Sequence, residues 1–182
     1  PTAERGRWLP GPRDALFETL RRQLGSLPLI AEDLGVITPE VEALRERLRL
    51  PGMRVLQFAL SGPDNRYLPH HFEPNTIVYT GTHDNDTTLG WFRTLPEEER
   101  KFLSRYAPWT EAEPAWGLIR LAWSSVADYA IAPLQDVLGL GTEARMNLPG
   151  RAAGNWGWRF ATDQLHDGIL ERLRDITELY SR

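Results

Sequence analysis

Two apolar runs in this chain each end in a short polar string that holds a carboxylate. Leu29-Ile30-Ala31 leads into Glu32-Asp33-Leu34-Gly35, and Thr76-Ile77-Val78-Tyr79-Thr80-Gly81 leads into Thr82-His83-Asp84-Asn85-Asp86. Helical patterns lie between and after them. Alternation of strands with helices implies a parallel sheet and an α/β fold. A carboxylate at the C-terminal end of such a strand stands where these folds gather their chemistry. Two of them form a candidate acid/base pair of the kind used in two-carboxylate glycosyl chemistry.

The periodicities locate the elements. Residues 1–12 are rich in Pro, Gly and Arg and read as a leading loop. Leu16, Leu20 and Leu24 recur at helical spacing and predict a helix over 14–24. Pro28 to Ala31 reads as a short buried strand. Thr38-Pro39 is a helix start, with Thr at the N-cap and Pro in the first turn. The helix that follows carries Val41, Leu44 and Leu48 on one face and Glu42, Arg45, Glu46 and Arg49 on the other. Met53–Leu60 and Asn75–Thr80 read as strands, joined by a loop too long for a simple connection. Helices are expected from Thr87, over 96–106 and over 114–124. A fourth strand is expected over 127–134, a long loop over 139–158, and a last helix over 162–180 that buries Leu165, Ile169, Leu173 and Ile176.

Composition narrows the function. There is no cysteine, which excludes disulfides, thiolate metal sites and a Cys nucleophile. A net charge of −4 without a basic run argues against nucleic-acid binding. No apolar run nears the ~18 residues that a membrane helix needs. No signal-peptide core opens the sequence, so a cytoplasmic setting is expected. His70 and His71 are adjacent on a segment read as extended, so they point apart, and no third ligand suggests a metal. Asp86 before Thr87-Thr88 reads as a helix N-cap. Asp33 is assigned no chemistry, and Trp156 and Trp158 read as anchors of the 139–158 loop in preference to sugar platforms.

Several strings together carry a family resemblance. They are Ile30-Ala31-Glu32-Asp33-Leu34-Gly35, Val55-Leu56-Gln57-Phe58, Gly81-Thr82-His83-Asp84-Asn85-Asp86-Thr87-Thr88, Pro133-Leu134-Gln135-Asp136-Val137-Leu138-Gly139-Leu140-Gly141, Ala144-Arg145-Met146-Asn147-Leu148-Pro149-Gly150 and Gly154-Asn155-Trp156-Gly157-Trp158-Arg159. In this order the chain resembles the amylomaltases, bacterial 4-α-glucanotransferases. The resemblance implies a (β/α)8 TIM barrel that cuts α-1,4-glucans and transfers the segment to an acceptor sugar, with retention, through a covalent intermediate. It implies that Glu32 is the general acid/base and that Asp84 steadies the oxocarbenium-like transition state. It also implies that His83 binds substrate, that Asp64 lines the acceptor side, and that Asn147 lies in a loop covering the cleft. An acid/base must change protonation near neutral pH, which calls for burial or a neighbouring carboxylate around Glu32. No cofactor and no metal are implied. Leu60 stands where members of the family often carry an aromatic, so sugar stacking is not carried over to it.

The resemblance also implies what is missing. The family's nucleophile is an aspartate in an Arg-Ile-Asp-His string upstream of Glu32, and no such string occurs here. With about four strands instead of eight, residues 1–182 are expected to form one unit, the C-terminal half of the barrel. The isolated chain is expected to be inactive, to need the N-terminal half as partner, and to self-associate through its exposed edges.

Two other readings compete. Asp84-Asn85-Asp86-Thr87-Thr88 fits the Asp-x-Asp-x-Thr pattern of haloacid-dehalogenase-like phosphatases, in which a phosphorylated Asp works with Mg²⁺. That chemistry needs a downstream lysine, and the only one, Lys101, lies too close. A non-catalytic maltodextrin-binding module would keep the sugar surface without a nucleophile.

Overall fold

The computed structural model describes Glu4, residues 6–7 and residues 9–182. The loop expected over 1–12 therefore lies partly outside the described residues. Contacts divide the chain into two compact units, 1–52 and 53–182, where the sequence suggested one.

In the first unit, α1 (Asp14–Leu24) and α2 (Pro39–Arg47) form where the apolar spacing placed them. The stripe of α1 is open, since Leu16 and Leu24 are exposed and the helix buries no residue. Thr38 holds the N-cap position of α2, yet its side chain caps no backbone N–H. It instead hydrogen-bonds the Glu40 carboxylate, which that residue's own backbone N–H and then the Thr38 hydroxyl hold below its ordinary pKa. The strand expected over 28–31 does not form. One ladder bond, from Ala31 N–H to the Pro51 carbonyl at 2.9 Å, holds this extended segment. A strand needs a partner along its length, and one bond does not make a ladder. The extended backbone still alternates its side chains. Asp33 turns inward, only 3 % exposed, while Glu32 faces out. Arg45, expected on the polar face of α2, is drawn in with Asp33, its Nε 3.8 Å from Oδ2. It also donates to the Leu50 carbonyl at 3.1 Å.

The second unit is built on a three-stranded sheet in the order β1 (Gly52–Val55), β2 (Thr76–Tyr79), β3 (Tyr129–Ile131). β2 and β3 are parallel, with Val78 opposite Ala130. This is one strand fewer than the sequence suggested. The run 53–60 leaves the strand at Leu56 for a 3-10 turn, because Gln57 is buried and hydrogen-bonded elsewhere. β3 ends before Pro133, which opens α6 (Leu134–Val137). β2 is buried, whereas Tyr129 and Ile131 of edge strand β3 are exposed.

Helices α3 (Thr88–Arg93), α4 (Glu97–Tyr106) and α5 (Pro114–Trp123) cover the sheet. Leu56, Leu68, Val78, Phe92, Leu103 and Leu118 form the main core. A second cluster joins Trp116, Ile119 and Val137 to Ile169, Leu173 and Ile176 of α7 (Asp167–Leu179). Residues 162–164, expected as the start of the last helix, form a separate 3-10 turn, and α7 buries none of its residues fully. Arg172 pairs with Glu113 through both carboxylate oxygens and lies 4.2 Å over the Trp116 ring. Among the described residues no helix is long and apolar enough to cross a membrane.

Helix α5 packs closely against Thr110 at Gly117. A Cβ on Gly117 would stand 2.7 Å from the Thr110 Cα. Gly117→Ala is therefore expected to destabilise the chain by roughly 1–3 kcal/mol in urea melts, despite alanine's better helix propensity. A gain in stability would contradict the tight packing.

Candidate active site

The loop after β2 carries His83 and Asp84, and its shape is dictated by polar side chains around it. Asn85 accepts from the Thr82 N–H at 2.9 Å and the Thr82 hydroxyl at 2.8 Å, which closes a tight local turn. Gln57 Nε2 donates to the Asp86 carbonyl at 2.9 Å. Gly81 makes room for it, since a Cβ there would meet Gln57 Nε2 at 2.6 Å.

Both ends of the loop are tied to one buried carboxylate. Asp136 of α6 accepts from the Thr80 hydroxyl at 2.6 Å, the Thr88 N–H at 2.7 Å and the Thr88 hydroxyl at 2.7 Å. Burial raises its pKa, the three donors oppose that, and the charge of nearby Asp86 adds to it. Asp86 is not the N-cap that the sequence suggested. Thr87 caps α3 by accepting from the Gly90 N–H at 3.1 Å. Asp86 instead accepts from the Thr87 N–H and from the Thr142 hydroxyl, both at 2.8 Å. Gly90 allows this, because a Cβ would collide with Thr142 and Asp86.

On this frame Asp84 and His83 stay exposed, with His83 Nε2 3.4 Å from Asp84 Oδ1. Asn147 donates from Nδ2 to the same oxygen at 2.6 Å, and from its backbone N–H to the His83 carbonyl at 3.1 Å. Arg145 links the two loops, donating to the carbonyls of Asp84 at 2.6 Å and Asn147 at 2.8 Å. The Trp156 ring lies 5.1 Å from that of His83 at 36°.

His83, Asp84 and Asn147 are thus brought together. Asp64 is exposed in the 61–74 loop and makes no side-chain hydrogen bond or ion pair among the described residues. That loop is ordered by Asn65, which bonds the Phe58 carbonyl, Ser61 and the Tyr67 N–H. Glu32 belongs to the first unit, is exposed, and has no side-chain partner among the described residues. Arg145 and Asp136 were not singled out from sequence, although both lie in the strings that carry the resemblance. Trp156, expected as an anchor of its loop, is 54 % exposed and lies outside both core clusters.

The phosphatase arrangement does not form. The Asp86 carboxylate is spent on Thr87 and Thr142, away from Asp84, instead of facing a shared phosphate. His70 and His71 do not point apart. They sit on a 3-10 turn with ring centroids 4.0 Å from each other, His70 bonded to the Tyr106 hydroxyl and His71 to the Pro63 carbonyl.

The family model of the 4-alpha-glucanotransferases matches residues 1–164. The whole chain aligns with the 4-alpha-glucanotransferase of Synechocystis sp. at 55 % identity, covering 37 % of that protein. It aligns likewise with that of Thermus thermophilus at 51 % identity, covering 38 %. Among solved structures, the amylomaltase from Streptococcus agalactiae in complex with acarbose superposes on all of the chain with a TM-score of 0.94, at 35 % identity and over 37 % of its own length. The chain thus spans less than two-fifths of these relatives, and its fold is that of part of an amylomaltase barrel.

Replacing Asp136 tests the frame. Asp136→Ala leaves three buried donors unpaired and is expected to cost roughly 2–4 kcal/mol. Asp136→Asn keeps the shape and should cost less. A raised folded pKa means that the proton's contribution is full below the unfolded value of about 3.8. It is lost as pH rises through the folded value. The wild type should therefore show this slope in denaturant melts against pH, and Asp136→Asn should lack it. Equal slopes would contradict the shift.

Proposed function

Since this chain belongs to the 4-alpha-glucanotransferase family, we propose that residues 1–182 are the C-terminal half of such an enzyme's catalytic barrel and carry two of its working carboxylates. The observation that carries this reading is the cluster of His83, Asp84 and Asn147 on the loop after β2. Asp84 receives both of these contacts on Oδ1, so Oδ2 is free to face a sugar. A carboxylate held this way opposes the positive charge that develops on the reacting ring. His83 and Asn147 bind hydroxyls beside it, and Asp64 serves the acceptor side.

Glu32 is the general acid/base. It protonates the leaving glycosidic oxygen, then takes the proton of the incoming 4-hydroxyl, so an α-1,4-glucan segment passes to an acceptor with retained configuration. The nucleophile comes from the N-terminal half. That half also supplies the burial that an acid/base carboxyl requires. The exposed Leu16, Leu24 and Val41 of the first unit, and Tyr129 and Ile131 of β3, are apolar surface for it to cover. Without that cover the chain is expected to self-associate. We place the protein in the cytoplasm, a setting its sequence fits.

The test is disproportionation of maltotriose. The chain alone should release no glucose. Joined to the preceding part of the Synechocystis relative it should make glucose and longer maltodextrins, and Glu32→Gln should lower the rate by roughly 10²–10⁴. Activity of the chain alone would contradict the missing nucleophile. An unimpaired Glu32→Gln enzyme would contradict the acid/base role, and a fully inert joined protein would favour a binding module.

A further inference from the structure

Trp156 is a costly residue where it stands. Its backbone is left-handed, with φ +60°, a conformation that a bulky side chain rarely adopts. Its ring is 54 % exposed and packs into neither core cluster. The surrounding loop is built to hold it there. Trp156 N–H donates to the Met146 carbonyl at 2.8 Å, and Arg159 donates to the Trp156 carbonyl at 3.1 Å. The preceding Asn155 accepts from the Leu148 N–H and donates to the Arg151 carbonyl, both at 3.0 Å. Strain that the surroundings over-determine is found where a site needs a side chain in one place.

What that placement achieves is a tilted ring contact with His83, at 5.1 Å and 36°. The Trp–His pair stands directly beside Asp84 and Asn147, and the indole keeps exposed surface. An indole offers a flat apolar face with a polar N–H at its edge, suited to the apolar C–H face of a pyranose ring.

We infer that Trp156 is a glucan-contacting residue, a platform on which a glucosyl ring stacks while the same indole fixes the His83 imidazole beside Asp84. The inference rests on the glucan reading of the site. It also explains the strain: the backbone cost is met to present an aromatic face, not to stabilise the loop.

The experiment is a titration of the 182-residue chain with maltoheptaose, followed by NMR at the Trp156 indole N–H, the His83 ring and the Asn147 side-chain amide. All three should move with one saturation curve. Trp156→Phe should bind within about threefold of wild type, and Trp156→Gly about tenfold more weakly. Glycine relieves the left-handed backbone, so Trp156→Gly should keep or raise the melting temperature while binding falls. A structural anchor would do the reverse, and a clear drop in melting temperature with unchanged affinity overturns the inference. So does movement of His83 and Asn147 with a still Trp156 indole. If none of the three moves, the glucan reading of the site fails and takes this inference with it.

Discussion

The Asp136 carboxylate sets the shape of the loop that presents His83 and Asp84 to solvent. It is fully buried, and its partners are the last residue before the His83-Asp84 loop and the first residue after its turn. Burying a carboxylate is expensive, and its raised pKa is the sign of that cost. Three short hydrogen bonds offset it only while Thr80 and Thr88 stay in place. The loop between them has little freedom left, and Gln57 and Asn85 remove much of the rest.

The acidic residues of the two units divide accordingly. Asp33, Asp86 and Asp136 turn inward or sideways and are consumed in holding structure. Glu32 and Asp84, the two proposed to act, face outward. In an extended segment such as 31–34 this division follows from side-chain alternation alone. In the 82–88 loop it follows from the Thr82–Asn85 turn, which exposes Asp84 while the chain swings Asp86 toward Thr142.

Much of this was legible in the sequence, and the rest for clear reasons was not. Helices α1 to α5 and strand β2 follow from local spacing, proline positions and apolar runs. The strand at 28–31 was not legible, because pairing is a property of two segments and a single ladder bond is all that Ala31 finds. The run from Met53 looked like one strand, because nothing local says that Gln57 must turn to hold the Asp86 carbonyl. Asp86 and Thr87 are both good caps, and only the demand of Thr142 decides between them. His83, Asp84 and Asn147 are picked out by the family strings, whereas nothing in the sequence singles out Asp136, whose role depends on the distant Thr80 and Thr88. The exposure of Trp156 and its left-handed backbone cannot be read from residue types.

Through Asp136 the second unit preforms its share of the candidate site. Amide hydrogen exchange across residues 80–88, compared with the 61–74 loop, tests it most directly. The Thr88 amide should be protected like the core helices, with Thr82 and Asn85 close behind. Asp136→Ala should release all three while Leu103 and Leu118 stay protected. Exchange of residues 80–88 as fast as that of exposed loop amides in the wild type would contradict it.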